Sequence, residues 1–240
     1  MYSIIYQNNI IDVVQNPTFV KVLPSGHVTF TDKASANGII GSDNKTIYGF
    51  EQINRENAKI ISIEEISEQE FNRLFSLLNS GHEITANKDA LTAAIDEAIN
   101  SLSETCNTKI IDGFSIRLSD SKKHDFRLTT EDQLNLLNLE NQLNNGTNQT
   151  FIYHETGKPC QAYSRVDMIK IIKAFRQHVL YHTTYFNVAK QYLKSLVNIN
   201  KVKAFKYGTN VLRVVEDDTI KQILETGGSL WQVILIWKLE

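Results

Sequence analysis

"SEQEFNRLFSLLNSG", residues 67 to 81, marks the point where the chain changes its period. Ser67 followed by Glu70 has the form of a capping box, "EQEFNRLFSLLN" reads as a helix, and Gly81 is placed to end it. The residues before this stretch read as strands, and those after it alternate long helices with short strands. The expected class is therefore α+β. It comprises a small β-rich N-terminal module with a terminal helix (residues 1–80), a helical connector (81–106) and a C-terminal α/β domain with one long helix (107–240).

Working upstream, "YSIIYQNNIIDVV" sets two β-branched runs on either side of Asn8-Asn9, a hairpin signal. "NPTFVKVLPSGHVTFTD" repeats the form around a Pro24-Ser25-Gly26 turn, and "KTIYGFEQI" and "AKIISIEEI" add further strands to a small sheet. Downstream, Asn87 caps a helix in which Leu91, Ala94, Ile95, Ala98, Ile99 and Leu102 form one apolar stripe. "KIIDGFSIRL" and "DFRL" come next as strands, then a helix opened by Thr130 with Gln133 and closed by Gly146, then the short strand "TFIYHE". The longest helix is expected from Arg165 to Val197, with a break near Thr183-Thr184, where two β-branched residues lower helix propensity. "KVKAFKYG" and "VLRVV" look strand-like, and Asp217 to Thr226 looks helical.

A chain of 240 residues with a net charge of −2 has room for a sizeable core and no global field to steer nucleic acid or an anionic membrane. Two cysteines make no disulfide framework. No export signal is visible, and no apolar run approaches the ~20 residues of a spanning helix. A soluble intracellular protein is expected.

The stretch with the most chemistry is "YHETGKPC", residues 153 to 160, which holds a His, a Glu, a Lys and a Cys. A Cys–His dyad needs contact between the two side chains and a third group to orient the imidazole, and no family signature surrounds Cys160. Thr156-Gly157-Lys158-Pro159 is strong turn chemistry, so a structural turn is expected, with no catalytic residue. His178 and His182 lie at i and i+4 and are the candidate metal ligands. The metalloprotease form needs Glu directly after the first His, where Val179 stands, so no metal and no cofactor are expected. "GIIGSDNKT" (38–46) lacks the Gly before its Lys and the helix after it, which excludes a phosphate loop. Lys190, Lys194, Lys201, Lys203 and Lys206, interleaved with Tyr192, Phe205 and Tyr207, read as a solvated face with its aromatics turned inward.

At the C-terminus, Trp231, Val233, Leu235, Trp237 and Leu239 make one apolar strand face, while Ile234 and Ile236 grease the other. Trp231, Val233, Ile234, Leu235, Ile236 and Trp237 are therefore the expected interface residues, with burial in a sheet of the chain's own domain as the open alternative.

Two stretches carry a resemblance. "NPTFVKVLPSGHVTFTDKASANGIIGSDNKTIYGF" resembles the N-terminal segment of small structural proteins in tail modules of phages and of clostridial phage-tail-like particles. "DFRLTTEDQLNLLNLENQLNNG", "FIYHETGKPCQAYS" and the long helix are similar to a domain of phage tail-fibre and fibre-assembly proteins. Together they span most of residues 16 to 207, and they bring no catalytic residues. The resemblance implies a non-enzymatic virion structural protein at the baseplate or fibre attachment. Its place would be the tail or tail-like particle, assembled in the bacterial host cytoplasm. Its partners would be other tail, baseplate or fibre proteins, with self-association left open and no nucleic acid or membrane. A tail-fibre assembly chaperone absent from the mature particle, and a host-surface glycan-binding module, are the alternatives.

Overall fold

Alternating apolar residues in the first 65 positions build two antiparallel sheets rather than one. The structure, a computed structural model, describes residues 1–55 and 58–227. The first sheet contains β1 (Tyr2–Tyr6), β2 (Asn9–Val14), β7 (Ser62–Glu65) and β8 (Ile84–Thr85), in the order β7-β1-β2-β8. The second contains β3 (Phe19–Val22), β4 (Val28–Phe30), β5 (Gly38–Ile40) and β6 (Ile47–Gly49), in the order β4-β3-β5-β6. Ile4, Val14, Ile39 and Ile61 form a shared core between the sheets. Val13, next in sequence to Val14, faces the other way and packs with Ile10 and Ile84 against Leu74 of helix α1 (Glu68–Asn79). That is the period of two at work: adjacent residues serve opposite faces.

Asn37 completes the second sheet where its ladder runs out. Its side-chain amide accepts from Val22 N–H at 2.8 Å and donates to Val22 C=O at 2.9 Å, taking the place of a neighbouring strand.

Helix α2 (Lys88–Asp112) begins at Asn87, whose side chain accepts from Ala90 N–H. The chain divides into two compact units, and the division falls inside this helix. The first unit holds residues 1–96 and 196–204, the second 97–195 and 205 onward. Helix α2 thus runs from the first unit into the second. Leu102, Cys106 and Ile110 of α2 are buried, and Cys106 Sγ donates to His182 C=O within the second unit. Helix α5 (Ile199–Ala204) returns to the first unit, where Thr85 N–H donates to Val197 C=O at 2.8 Å.

Among its described residues, the main core of the second unit is built by two hairpins and a helix on one long helix. The hairpins are β9 (Phe114–Arg117) with β10 (Lys123–Phe126), and β11 (Thr150–Tyr153) with β12 (Gln161–Ser164). Helix α3 (Thr130–Asn145) lies between them in sequence, and α4 (Arg165–Ser195) comes after both. Met168, Ile171, Ile172 and Phe175 of α4 share one core with Phe126, Leu136, Leu143, Phe151 and Tyr163. Helix α6 (Asp218–Thr226) closes the described chain, capped by Asp217. Among the described residues no helix is long and apolar enough to cross a membrane.

Several local expectations give way to tertiary context. The first hairpin turns at Gln7-Asn8, both at positive φ, with Tyr6 paired to Asn9. The cap of α3 is Thr129 with Asp132, one residue earlier than the sequence pattern places it. Helix α4 runs unbroken through Thr183, whose hydroxyl donates to Val179 C=O at 2.8 Å and so finds its partner within the helix. Residues 199–204 are helical and Leu212–Val214 form a 3-10 turn, where strands were expected; Val202 and Val211 are buried there singly, without strand partners. The C-terminal face from Trp231 to Trp237, with Val233, Ile234, Leu235 and Ile236, lies outside the described residues.

Lys109–Asp112, read as strand, end α2. Gly113 stops the helix at φ +78°, and a Cβ there would stand 1.8 Å from Phe126 C=O. Both left-handed backbone and close approach demand glycine. Gly113→Ala is expected to destabilise the second unit by about 3 kcal/mol or more, read by urea unfolding; a change below about 1 kcal/mol would contradict the packing at this point.

Candidate functional site

The stretch from Tyr153 to Cys160 is a hairpin loop, not a link to a helix: β11 enters it and β12 leaves it. Gly157 supplies a positive φ of 70°. Cys160 is exposed rather than packed, and the buried thiol of the protein is Cys106. His154 turns to the other side, with Nε2 3.3 Å from Asp132 Oδ1. Among the described residues no cysteine side chain is hydrogen-bonded to a histidine ring.

What the loop does assemble centres on Glu155, which is 3% exposed. Its Oε1 lies 2.8 Å from His124 Nδ1 and accepts from Gln161 Nε2 at 2.8 Å; its Oε2 accepts from Lys158 Nζ at 2.7 Å. His124 Nε2 in turn lies 3.0 Å from Asp120 Oδ1. Thr156 adds a second tie between the hairpins, its N–H donating to Asp125 C=O and its hydroxyl accepting from Arg127 N–H. The carboxylate is covered by its own partners rather than by depth, since Lys158 and Asp120 reach solvent. The sequence marks Glu155 and Lys158 but not His124 or Asp120, which lie some thirty residues upstream on another hairpin. Nothing local announces that meeting.

An imidazole between two carboxylates resembles a catalytic relay. Here both ring nitrogens are engaged, so neither is free to take a proton from a substrate. Burial disfavours charge on His124, but the bonds to Glu155 and Asp120 outweigh it and raise its pKa above the ordinary 6.5. Burial likewise opposes the Glu155 charge, and Lys158 and His124 overcome it, holding that carboxyl below 4.5. Asp120 is also lowered, first by the Lys122 backbone N–H and then by His124.

These directions fix the pH window. The His124 contribution is complete below pH 6.5 and fades as pH rises through its raised pKa. The Glu155 contribution is complete above pH 4.5 and fades as pH falls through its depressed pKa. The network therefore stabilises most between these two values. Thermal unfolding of the second unit is expected to start lower at about pH 8.5 than at about pH 5.5, with His124→Gln shrinking the difference. Equal pH dependence in protein and variant would remove His124 as its source.

His178 and His182 are brought together on α4, their ring centroids 4.5 Å apart, but face protein partners. His178 Nε2 donates to Lys109 C=O at 2.9 Å, and His182 Nδ1 lies 2.6 Å from Tyr207 Oη. Burial lowers both pKa values, and His182, further depressed by its neighbour His178, falls to about 4. Among the described residues no group of three or more His, Cys, Asp or Glu side chains is placed to hold a metal ion. The five lysines of the basic cluster divide between the two units, and Tyr192 beside them is buried. "GIIGSDNKT" is strand β5 and a hairpin loop. In it Asp43 accepts from the hydroxyl and N–H of Thr46 and the N–H of Lys45, which lowers its pKa to about 2.

Tyr153 is the one side chain here with an orphaned polar atom: its buried hydroxyl has no hydrogen-bond partner among the described residues. Burial, with repulsion from Asp132 and then Tyr163, raises its pKa. Its ring stacks on Phe126 at 6.1 Å, which holds the side chain in place. An unsatisfied hydroxyl costs about 1–3 kcal/mol. Tyr153→Phe is therefore expected to leave stability unchanged or raise it by about 1 kcal/mol in urea unfolding; a loss of that size would reveal a hidden partner for the hydroxyl.

No family model matches the chain, and no curated protein or solved structure matches it.

Proposed function

We propose that the protein is a non-enzymatic structural component of a phage tail or phage-tail-like particle, placed at the baseplate or where fibres attach. The resemblance of residues 16–50 and 125–196 to tail and fibre-assembly segments supplies the context. The observation that carries the non-enzymatic half is the use made of Glu155. In the segment richest in reactive side chains, both carboxylate oxygens and both nitrogens of His124 are occupied by neighbours in the same unit. Such a network joins two hairpins; it presents no free base or nucleophile to a substrate.

The test is quantitative mass spectrometry of purified particles from a producing strain. The protein is expected at a fixed, integral stoichiometry to the baseplate proteins. Absence from finished particles, combined with co-purification with an unassembled fibre subunit, would instead identify an assembly chaperone.

A further inference from the structure

We infer that strand β4 is a self-pairing edge, through which two copies of the chain join their second sheets into one. The first unit has four sheet edges, and three are managed in recognised ways. β7 carries the exposed charges of Glu64 and Glu65. β6 is covered where Gly49 N–H donates to Lys59 C=O and Gly49 C=O accepts from Ile61 N–H. β8 is covered by Val197. β4 has no such guard: "HVTFT", residues 27 to 31, contains no Lys, Glu, Asp or Pro.

The register decides which groups are free. Leu23 N–H donates to His27 C=O and Thr31 N–H donates to Phe19 C=O, so His27, Thr29 and Thr31 turn their main chain toward β3. By the alternation of an antiparallel ladder, Val28 and Phe30 turn theirs outward. Among the described residues, neither one's N–H or C=O makes a hydrogen bond outside the strand. Phe30 is 78% exposed, the most exposed large apolar side chain described, while Val28 on the same face rests against the core cluster of Val20, Val22 and Ile53.

A second copy is the occupant this edge fits. An antiparallel two-fold centred on Thr29 sets Val28 opposite the second copy's Phe30, and Phe30 opposite the second copy's Val28. All the outward N–H and C=O groups of both residues then pair, giving four hydrogen bonds. Centring on Val28 or on Phe30 instead matches one outward pair to a turn residue or to Asp32. In the favoured register the two Phe30 rings fold onto the two valines, burying the apolar surface left bare in the monomer, and no like charges meet. So short an edge buries less than the ~1,200 Å² of a stable interface, so the dimer is weak and grows with concentration.

Sedimentation velocity across a concentration series of the full chain provides the first reading. Reversible dimerisation is expected, and Phe30→Lys, an exposed change that leaves the fold intact, is expected to weaken it by about tenfold or more. Register is read separately with Thr29→Cys in a Cys160→Ala background, which removes the other exposed thiol. Two Thr29 positions facing across a non-hydrogen-bonded pair are close enough for mild oxidation to link them. Ser25→Cys, off the two-fold, is the control and should link much more slowly. A dimer indifferent to Phe30→Lys would overturn the proposal, as would equal linking at positions 25 and 29. A monomer at every concentration would also overturn it, leaving the edge to a strand from another protein.

Discussion

A two-stranded hairpin cannot hold itself together in water, and the second unit contains two of them. Everything in that unit depends on the surface they are laid upon. Helix α4 presents Met168, Ile171, Ile172 and Phe175 as a continuous apolar floor, and Phe126, Phe151 and Tyr163 of the two hairpins stand on it. Helix α3 joins through Leu136, Leu139 and Leu143. Arg165, at the start of α4, donates to the carbonyls of Leu143, Gly146 and Asn148 and so satisfies acceptors that the end of α3 leaves open. The ion pair between Arg176 and Glu140 adds little beside this, because both groups reach solvent.

The Glu155 network belongs to the same requirement. Two hairpins packed on a helix through apolar contacts alone have no fixed register against each other. A carboxylate that accepts from His124 on one hairpin and from Lys158 and Gln161 on the other sets that register, because hydrogen bonds are directional where packing is not. The side chains that make "YHETGKPC" look reactive are the ones that join the hairpins.

Features written in short range were legible. The caps at Ser67 and Asn87, the Gly26 turn, the α1 helix and the α+β class all depend on residues a few positions apart. The failures share one cause. "KIIDGF" is apolar and β-branched, yet its first four residues complete a helix because the buried stripe of α2 continues through Cys106 and Ile110. "KVKAFKYG" has strand alternation, yet its first four residues lie in helix α5, where Val202 is buried. Strands β5 and β12 are short runs that the sequence pattern does not mark as strands. The pairing of His124 with Glu155 spans two hairpins and has no periodicity to betray it. His178 and His182 do meet, but each ring spends a nitrogen on the protein itself.

The return of residues 196–204 to the first unit has a consequence for the order of events at the ribosome. The N-terminal sheets are synthesised first, yet the amide of Thr85 and the side chain of Glu83 wait for Val197 and Asn198. At about 5–20 residues per second, the intervening stretch takes several seconds to emerge. Helix α4 has by then been made in full, and the core it organises can already have closed. The unit that begins the chain is thus completed only after most of the second unit has been made.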